Sequence, residues 1–194
     1  MKSILKRLIS VVLMTILAVS LVGCGAKPEQ TAKDFLDAIK QQDINKAASL
    51  VKDNNSKEGL KYDNKEQEKM AKAIFSKLEY TLGKIDNKGD TATVKASITS
   101  LDLPKITTKL MADLLPTMMS QALSEEKVDE KKQEAMVLEQ LLKSVNDPNA
   151  PKIKKDVDIK LVKVDKEWRV DADEQLLNAI TGDIGSVQKK FEGK

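Results

Sequence analysis

Histidine is absent from the 194 residues, and cysteine occurs once, at Cys24. The first absence removes the side chain most used for proton transfer near neutral pH and the commonest metal ligand. A single cysteine excludes an internal disulfide. Aromatics are few, namely Trp168, two Tyr and three Phe, so the core has to be built from Leu, Ile, Val, Ala and Met. No Gly-rich phosphate loop occurs. Asp86-Asn87-Lys88-Gly89-Asp90 fails as a calcium loop because Lys88 stands where an oxygen ligand is required. These gaps argue against an enzyme, and they call for no cofactor and no metal. The acids Asp165, Glu167, Asp171, Asp173 and Glu174 read as turn and cap residues.

What is present begins at the N-terminus. Lys2, Lys6 and Arg7 precede an apolar run from Leu8 to Val22 that is broken by Ser10, Thr15 and Ser20. A run of about 15 residues falls short of the roughly 20 needed to span a bilayer as a helix. Positive start, apolar middle and small residues before Cys24 together make the grammar of a secretory signal. Leu21-Val22-Gly23-Cys24 is similar to the lipobox of bacterial lipoproteins. That resemblance implies a signal peptide over 1–23, peptidase recognition through Leu21, Val22 and Gly23, and lipidation of Cys24. It places the protein at the cell membrane, on its extracytoplasmic face. A diacylglyceryl group and palmitate-type chains would make membrane lipid a partner through Cys24, since two acyl chains anchor stably where one is marginal. Residues 1–23 hold three of the 33 basic residues and none of the 30 acids, so the remainder is electrically balanced. A balanced chain with few aromatics is no nucleic-acid binder.

From Pro28 onward the pattern reads as one α+β domain over 28–183, after a tether at 24–27. Ala32, Phe35, Leu36 and Ile39 share a helical face. Asp43 is placed to cap a second helix carrying Ile44, Ala47, Ala48 and Val51. Asp63 and Asn64, each followed three residues on by Glu66 or Gln67, mark the start of a third, with Ala71, Ile74, Phe75 and Leu78 inward. The period then drops to two: Tyr80 and Leu82, a turn at 86–90, and Ala92, Val94, Ala96 and Ile98 on the return. Leu101 and Leu103 shift phase, which predicts a bulge near Thr99-Ser100.

A helical insertion is expected over 104–145. Its stripe is Ile106, Leu110, Leu114, Met118 and Ala122, widened by Met111, Leu115 and Met119. Pro116 should kink or break it. A new helix should start at Ser124 and bury Leu138, Leu141, Leu142 and Val145. Val157, Ile159 and Leu161 open a second hairpin, with a second phase shift at Val162 and Val164. Trp168 and Val170 return. Asp171 with Glu174 should cap a last helix, and 184–194 forms a tail with Ile184, Val187 and Phe191 at helical spacing.

The segments Ala32–Lys40 with Asp43 and Ala47-Ala48, and Leu161–Asp171 around Trp168, resemble the nuclear-transport-factor-2-like, cystatin-like superfamily. The resemblance implies N-terminal helices on a curved, cone-like antiparallel sheet with a pocket at its open end. The insertion departs from that pattern and could plug the pocket. Catalytic positions of the enzymatic members find no match here. The methionines at 111, 118, 119 and 136 lie on apolar stripes and read first as core. Met111 and Met119, which widen the stripe, and Trp168 are the ligand-binding candidates. The function expected is a non-enzymatic lipoprotein that binds a small apolar ligand or an envelope protein. The alternative is an envelope enzyme using a pocket carboxylate, for which Tyr62 and Tyr80 with nearby acids are the acid–base candidates. An importer receptor would need two lobes and more chain. Replacing Cys24→Ala should abolish incorporation of radiolabelled palmitate and leave the precursor uncut on a gel; normal processing would refute the lipobox.

Overall fold

The computed structural model describes residues 27–52, 64–123 and 129–191. Helix α1 spans Pro28–Lys40 and starts on proline, whose missing N–H costs nothing in the first turn. It buries Ala32, Phe35, Leu36, Ala38 and Ile39. Helix α2, Ile44–Ser49, begins at Asp43, whose carboxylate accepts from the Lys46 N–H. Helix α3, Lys65–Phe75, is capped by Asn64, which accepts from the Gln67 N–H at 2.8 Å. Asp63 lies outside the described residues.

Strands β1 (Glu79–Asn87) and β2 (Thr91–Leu101) form the first hairpin. Helices α4 (Leu103–Leu123) and α5 (Glu130–Asn146) follow. Strands β3 (Lys152–Val164) and β4 (Glu167–Asp171) make the second hairpin. Helices α6 (Glu174–Ile180) and α7 (Ile184–Phe191) close the chain. The sheet is antiparallel in the order β1-β2-β3-β4. The fold is therefore α+β, with helices on a curled four-stranded sheet.

Pairing Val94↔Ile159 and Ala96↔Val157 puts even positions of β2 and odd positions of β3 on one face. That face is buried, and its outer counterpart carries Thr93, Lys95, Ser97, Asp156 and Asp158. Phe35, Leu36 and Ile39 from α1 and Leu176, Ala179 and Ile180 from α6 join it in one hydrophobic cluster. Trading one such Leu or Ile for Ala removes about 2–5 kcal/mol, so this cluster dominates stability.

Several expectations are corrected. The bulge near Thr99-Ser100 is absent: β2 and β3 pair without a shift through Leu101↔Lys152. Ser100 keeps the inward phase, and Leu101 is buried too because the α6–α7 turn closes over the strand end. The register shift lies instead in β1, between Leu82 and Ile85. No bulge occurs at Val162 or Val164 either; both pair in register and are half-exposed, on the face opposite Leu161. Pro116 does not break α4. The carbonyl it leaves without an N–H partner belongs to Ala112, which is exposed and can take water. Asp129, not Ser124, caps α5, its side chain accepting from the N–H groups of Lys131 and Lys132; Ser124 lies outside the described residues. Asp173, not Asp171, caps α6, because Asp171 still belongs to β4 and pairs across to Lys160. Met111, Met118 and Met119 are surface residues rather than core.

Gly182 sits at φ +70°, and a Cβ there would lie 2.4 Å from the Leu101 carbonyl oxygen. Its own carbonyl accepts from the Leu103 N–H. Gly182→Ala should therefore cost at least about 2 kcal/mol, from left-handed strain plus the clash. A urea midpoint unchanged from wild type would refute that role.

Candidate functional site

An apolar cavity of about 440 Å³ opens where α3, α5 and the α6–α7 junction meet. Met70, Ala71, Ile74 and Phe75 come from α3, Leu138 and Leu141 from α5, and Thr181 and Ile184 from the junction. Asn64, Glu66 and Gln67, the cap and first turn of α3, stand at the polar end. The Asn64 cap fixes where that turn begins. The cavity has the size of a small-molecule site, and such sites are mostly apolar with a few convergent polar groups.

The inserted helices do not fill the sheet's inner face, which α1 and α6 already occupy. They lean on α3 and α7 instead, and the space arises at that seam. A broader trough of about 550 Å³ lies on the outer sheet face around Gly83, lined by Thr81, Lys95, Ser97, Asp156 and Asp158 among others. Its chemistry is that of a wet sheet face: Lys95 and Asp158 pair across the strands at 3.2 Å.

The residues expected to bind ligand lie elsewhere. Met111 (38 % exposed) and Met119 (57 %) are on α4 with Leu115 (55 %), Met118 (38 %) and Leu123 (85 %). Beyond Leu114, every described side chain of α4 is exposed. The result is a surface strip of Leu and Met. Trp168 is 7 % exposed in the core, with the Lys163 ammonium 5.0 Å from its ring centroid. None of Met111, Met119 and Trp168 lines the apolar cavity. Leu21, Val22, Gly23, Cys24 and Tyr62 lie outside the described residues. The cavity residues were visible in the sequence only as two inward stripes, Ala71-Ile74-Phe75 and Leu138-Leu141; that the stripes fail to close on each other was not.

Tyr80 does meet an acid. Its hydroxyl donates to Asp37 Oδ1 at 2.5 Å, and Lys33 Nζ pairs with Asp37 Oδ2 at 2.6 Å. The Lys33 hydrogen bond, then the Tyr80 one, hold the Asp37 carboxyl below its ordinary range. Burial, then the bond to Asp37, push the Tyr80 hydroxyl up, so it remains a donor. A carboxyl held ionised is the opposite of the raised one a pocket acid needs; the trio ties α1 to β1.

The acids near the second hairpin are engaged likewise: Asp171 with Lys52 at 3.4 Å, Asp173 with Lys160 at 2.9 Å, Glu167 with Arg169 at 2.5 Å. Among the described residues no group of three or more His, Cys, Asp or Glu could hold a metal ion, and no helix is long and apolar enough to cross a membrane.

No family model matches the chain, and no curated protein matches it. A solved structure of a candidate lipoprotein of Bacillus subtilis, ycdA, is similar, with 13 % identity and a TM-score of 0.45. The match covers 80 % of this chain and 46 % of that one, so this chain spans about half the length of that protein. A likeness at that level carries no functional argument.

Tyr80→Phe should cost about 1 kcal/mol at pH 7, the range for one hydrogen bond to a partly exposed charged group. Asp37 is depressed in the folded state, so the bond's contribution is present above the ordinary carboxylate pKa. It is lost as pH falls through the lower, folded value. Urea unfolding of both proteins at a series of pH values from 7 downward should show the gap narrowing towards the acid end; a constant gap would contradict the assignment.

Proposed function

We propose that this protein is a membrane-anchored, extracytoplasmic lipoprotein, lipidated at Cys24, whose domain binds a small apolar ligand without catalysing a reaction. The single observation that carries the binding role is the cavity between α3, α5 and the α6–α7 junction. Seven of its lining residues are Met, Ala, Ile, Phe or Leu. Burial there releases ordered water from an apolar solute at about 25 cal/mol per Å², and the polar end gives the ligand one direction to lie in. The anchor reading rests on Leu21-Val22-Gly23-Cys24 and the apolar run before it. The curled antiparallel sheet with α1 packed along its inner face supports the nuclear-transport-factor-2-like reading of the domain. In that reading the ligand site has moved from the cone to the seam with the insertion.

One observation favours a second role. The exposed Leu115, Met118, Met119 and Leu123 of α4 form an apolar strip of the kind that marks contact with another molecule. An envelope protein docking there is compatible with an occupied cavity, since the two share no residue.

The test of the binding role uses residues 24–194 with Cys24→Ser, which retains every described residue. N-phenyl-1-naphthylamine should show saturable, one-to-one fluorescence enhancement. Ala71→Phe, which places a ring into the cavity, should weaken that binding at least about tenfold while leaving the thermal midpoint near wild type. An unsaturable wild-type signal, or an Ala71→Phe variant that binds as well as wild type, would remove the cavity from consideration.

A further inference from the structure

Among the described residues the cavity lining contains one charged side chain, and it is negative: Glu66. Glu66 lies in the first turn of α3, two residues after the Asn64 cap, and is exposed at the cavity mouth. A helix N-terminus on its own favours an anion, but here the first turn already carries Glu66 and Glu68, which oppose that field. Lys72 on the same helix is paired with Glu68 at 2.6 Å, not with Glu66. Lys65 and Lys69 are not among the lining residues. The other polar groups of the lining, Asn64, Gln67 and Thr181, are neutral. The Thr181 hydroxyl donates to the Leu177 carbonyl, and Asn64 Oδ1 is taken by the Gln67 N–H. Among the described residues, a ligand head at this end therefore meets a carboxylate and no cation.

The far end sets the tail. Met70, Ile74, Phe75, Leu138, Leu141 and Ile184 offer no charge. At about 30 Å³ per water-sized group, 440 Å³ holds roughly fifteen such groups, enough for one ten-carbon alkyl chain and too little for two. Methionine and leucine side chains adapt to a flexible chain more readily than a fixed aromatic slot would.

We propose that the occupant of this cavity is a single-chain cationic amphiphile, its ammonium head at Glu66 and its alkyl chain between α3 and α5. This rests on the apolar-ligand reading above and adds the sign of the head group. A phospholipid, with two chains and a phosphate, is excluded on both counts. So is a free fatty acid, whose carboxylate would face Glu66.

The experiment compares three probes of one chain length, decylamine, decanol and decanoate, each displacing N-phenyl-1-naphthylamine from residues 24–194 carrying Cys24→Ser, at pH 7 and low salt. Decylamine should bind at least about tenfold more tightly than decanoate, with decanol between them. In Glu66→Gln the amine-to-acid ratio should fall to within about twofold, and in Glu66→Lys it should invert. Raising the salt to 0.5 M should shrink the wild-type ratio, as exposed charges are screened. Decanoate equal to decylamine in wild type, or a ratio untouched by Glu66→Gln, overturns the charge selection alone. Failure of all three probes to displace overturns the apolar-ligand reading itself. Glu66 is exposed and makes no core contact, so the variants test the head group rather than the fold.

Discussion

The β2–β3 ladder is the constraint on which the rest of the molecule depends. It runs from Thr91↔Val162 to Leu101↔Lys152 without a slip. In an antiparallel pair, that continuity decides the side of every residue on both strands at once. It gathers Val94, Ile98, Ile159 and Leu161 under α1 and α6 and leaves Lys95, Ser97, Asp156 and Asp158 to water. The flanking strands add to this decision rather than share it. β1 tolerates an irregularity at Leu82/Ile85, and β4 is short, with its Val170 borrowed further by an isolated bridge to Val51.

Placement of the cavity follows from the same constraint. With α1 and α6 covering the inner face, the helices between the hairpins find no room on the sheet. α5 rests against α3, and α4 against α7. Helices that meet only along such a seam pack less completely than helices on a sheet. The shortfall lies between α3, α5 and the α6–α7 junction, open to one side, so it is a receptive space rather than a sealed void. The Asn64 cap, a hydrogen bond between two lining residues, and the Gly182 turn, held by the Leu103 N–H, stand near its two rims.

Much of this was legible locally. Ala32, Phe35, Leu36 and Ile39 were marked inward by spacing, and all are fully buried. The alternation of Ala92, Val94, Ala96 and Ile98 survives intact in β2, and Asp43 and Asn64 cap the helices they were expected to cap. Three of the failures share one cause: they concern what a residue meets, not which way it faces. Leu101 looked out of phase because a turn eighty residues later covers it. Met118 and Met119 continued a stripe that was core as far as Leu114, but the helix outruns its support. Ile74 and Leu141 were both inward residues, and periodicity carries no measure of the gap between two inward faces.

The segment between β2 and β3, residues 102–151, interrupts the very ladder that organises the fold. Closing a long loop costs free energy only as the logarithm of its length, about 0.6 kcal/mol for each doubling. The strands are obliged to keep their register, but the excursion between them is under almost no such obligation. Its helices can lengthen, shorten or exchange their exposed residues at small thermodynamic penalty. In this architecture the segment least bound by the register forms one wall of the cavity as well as the strip on α4.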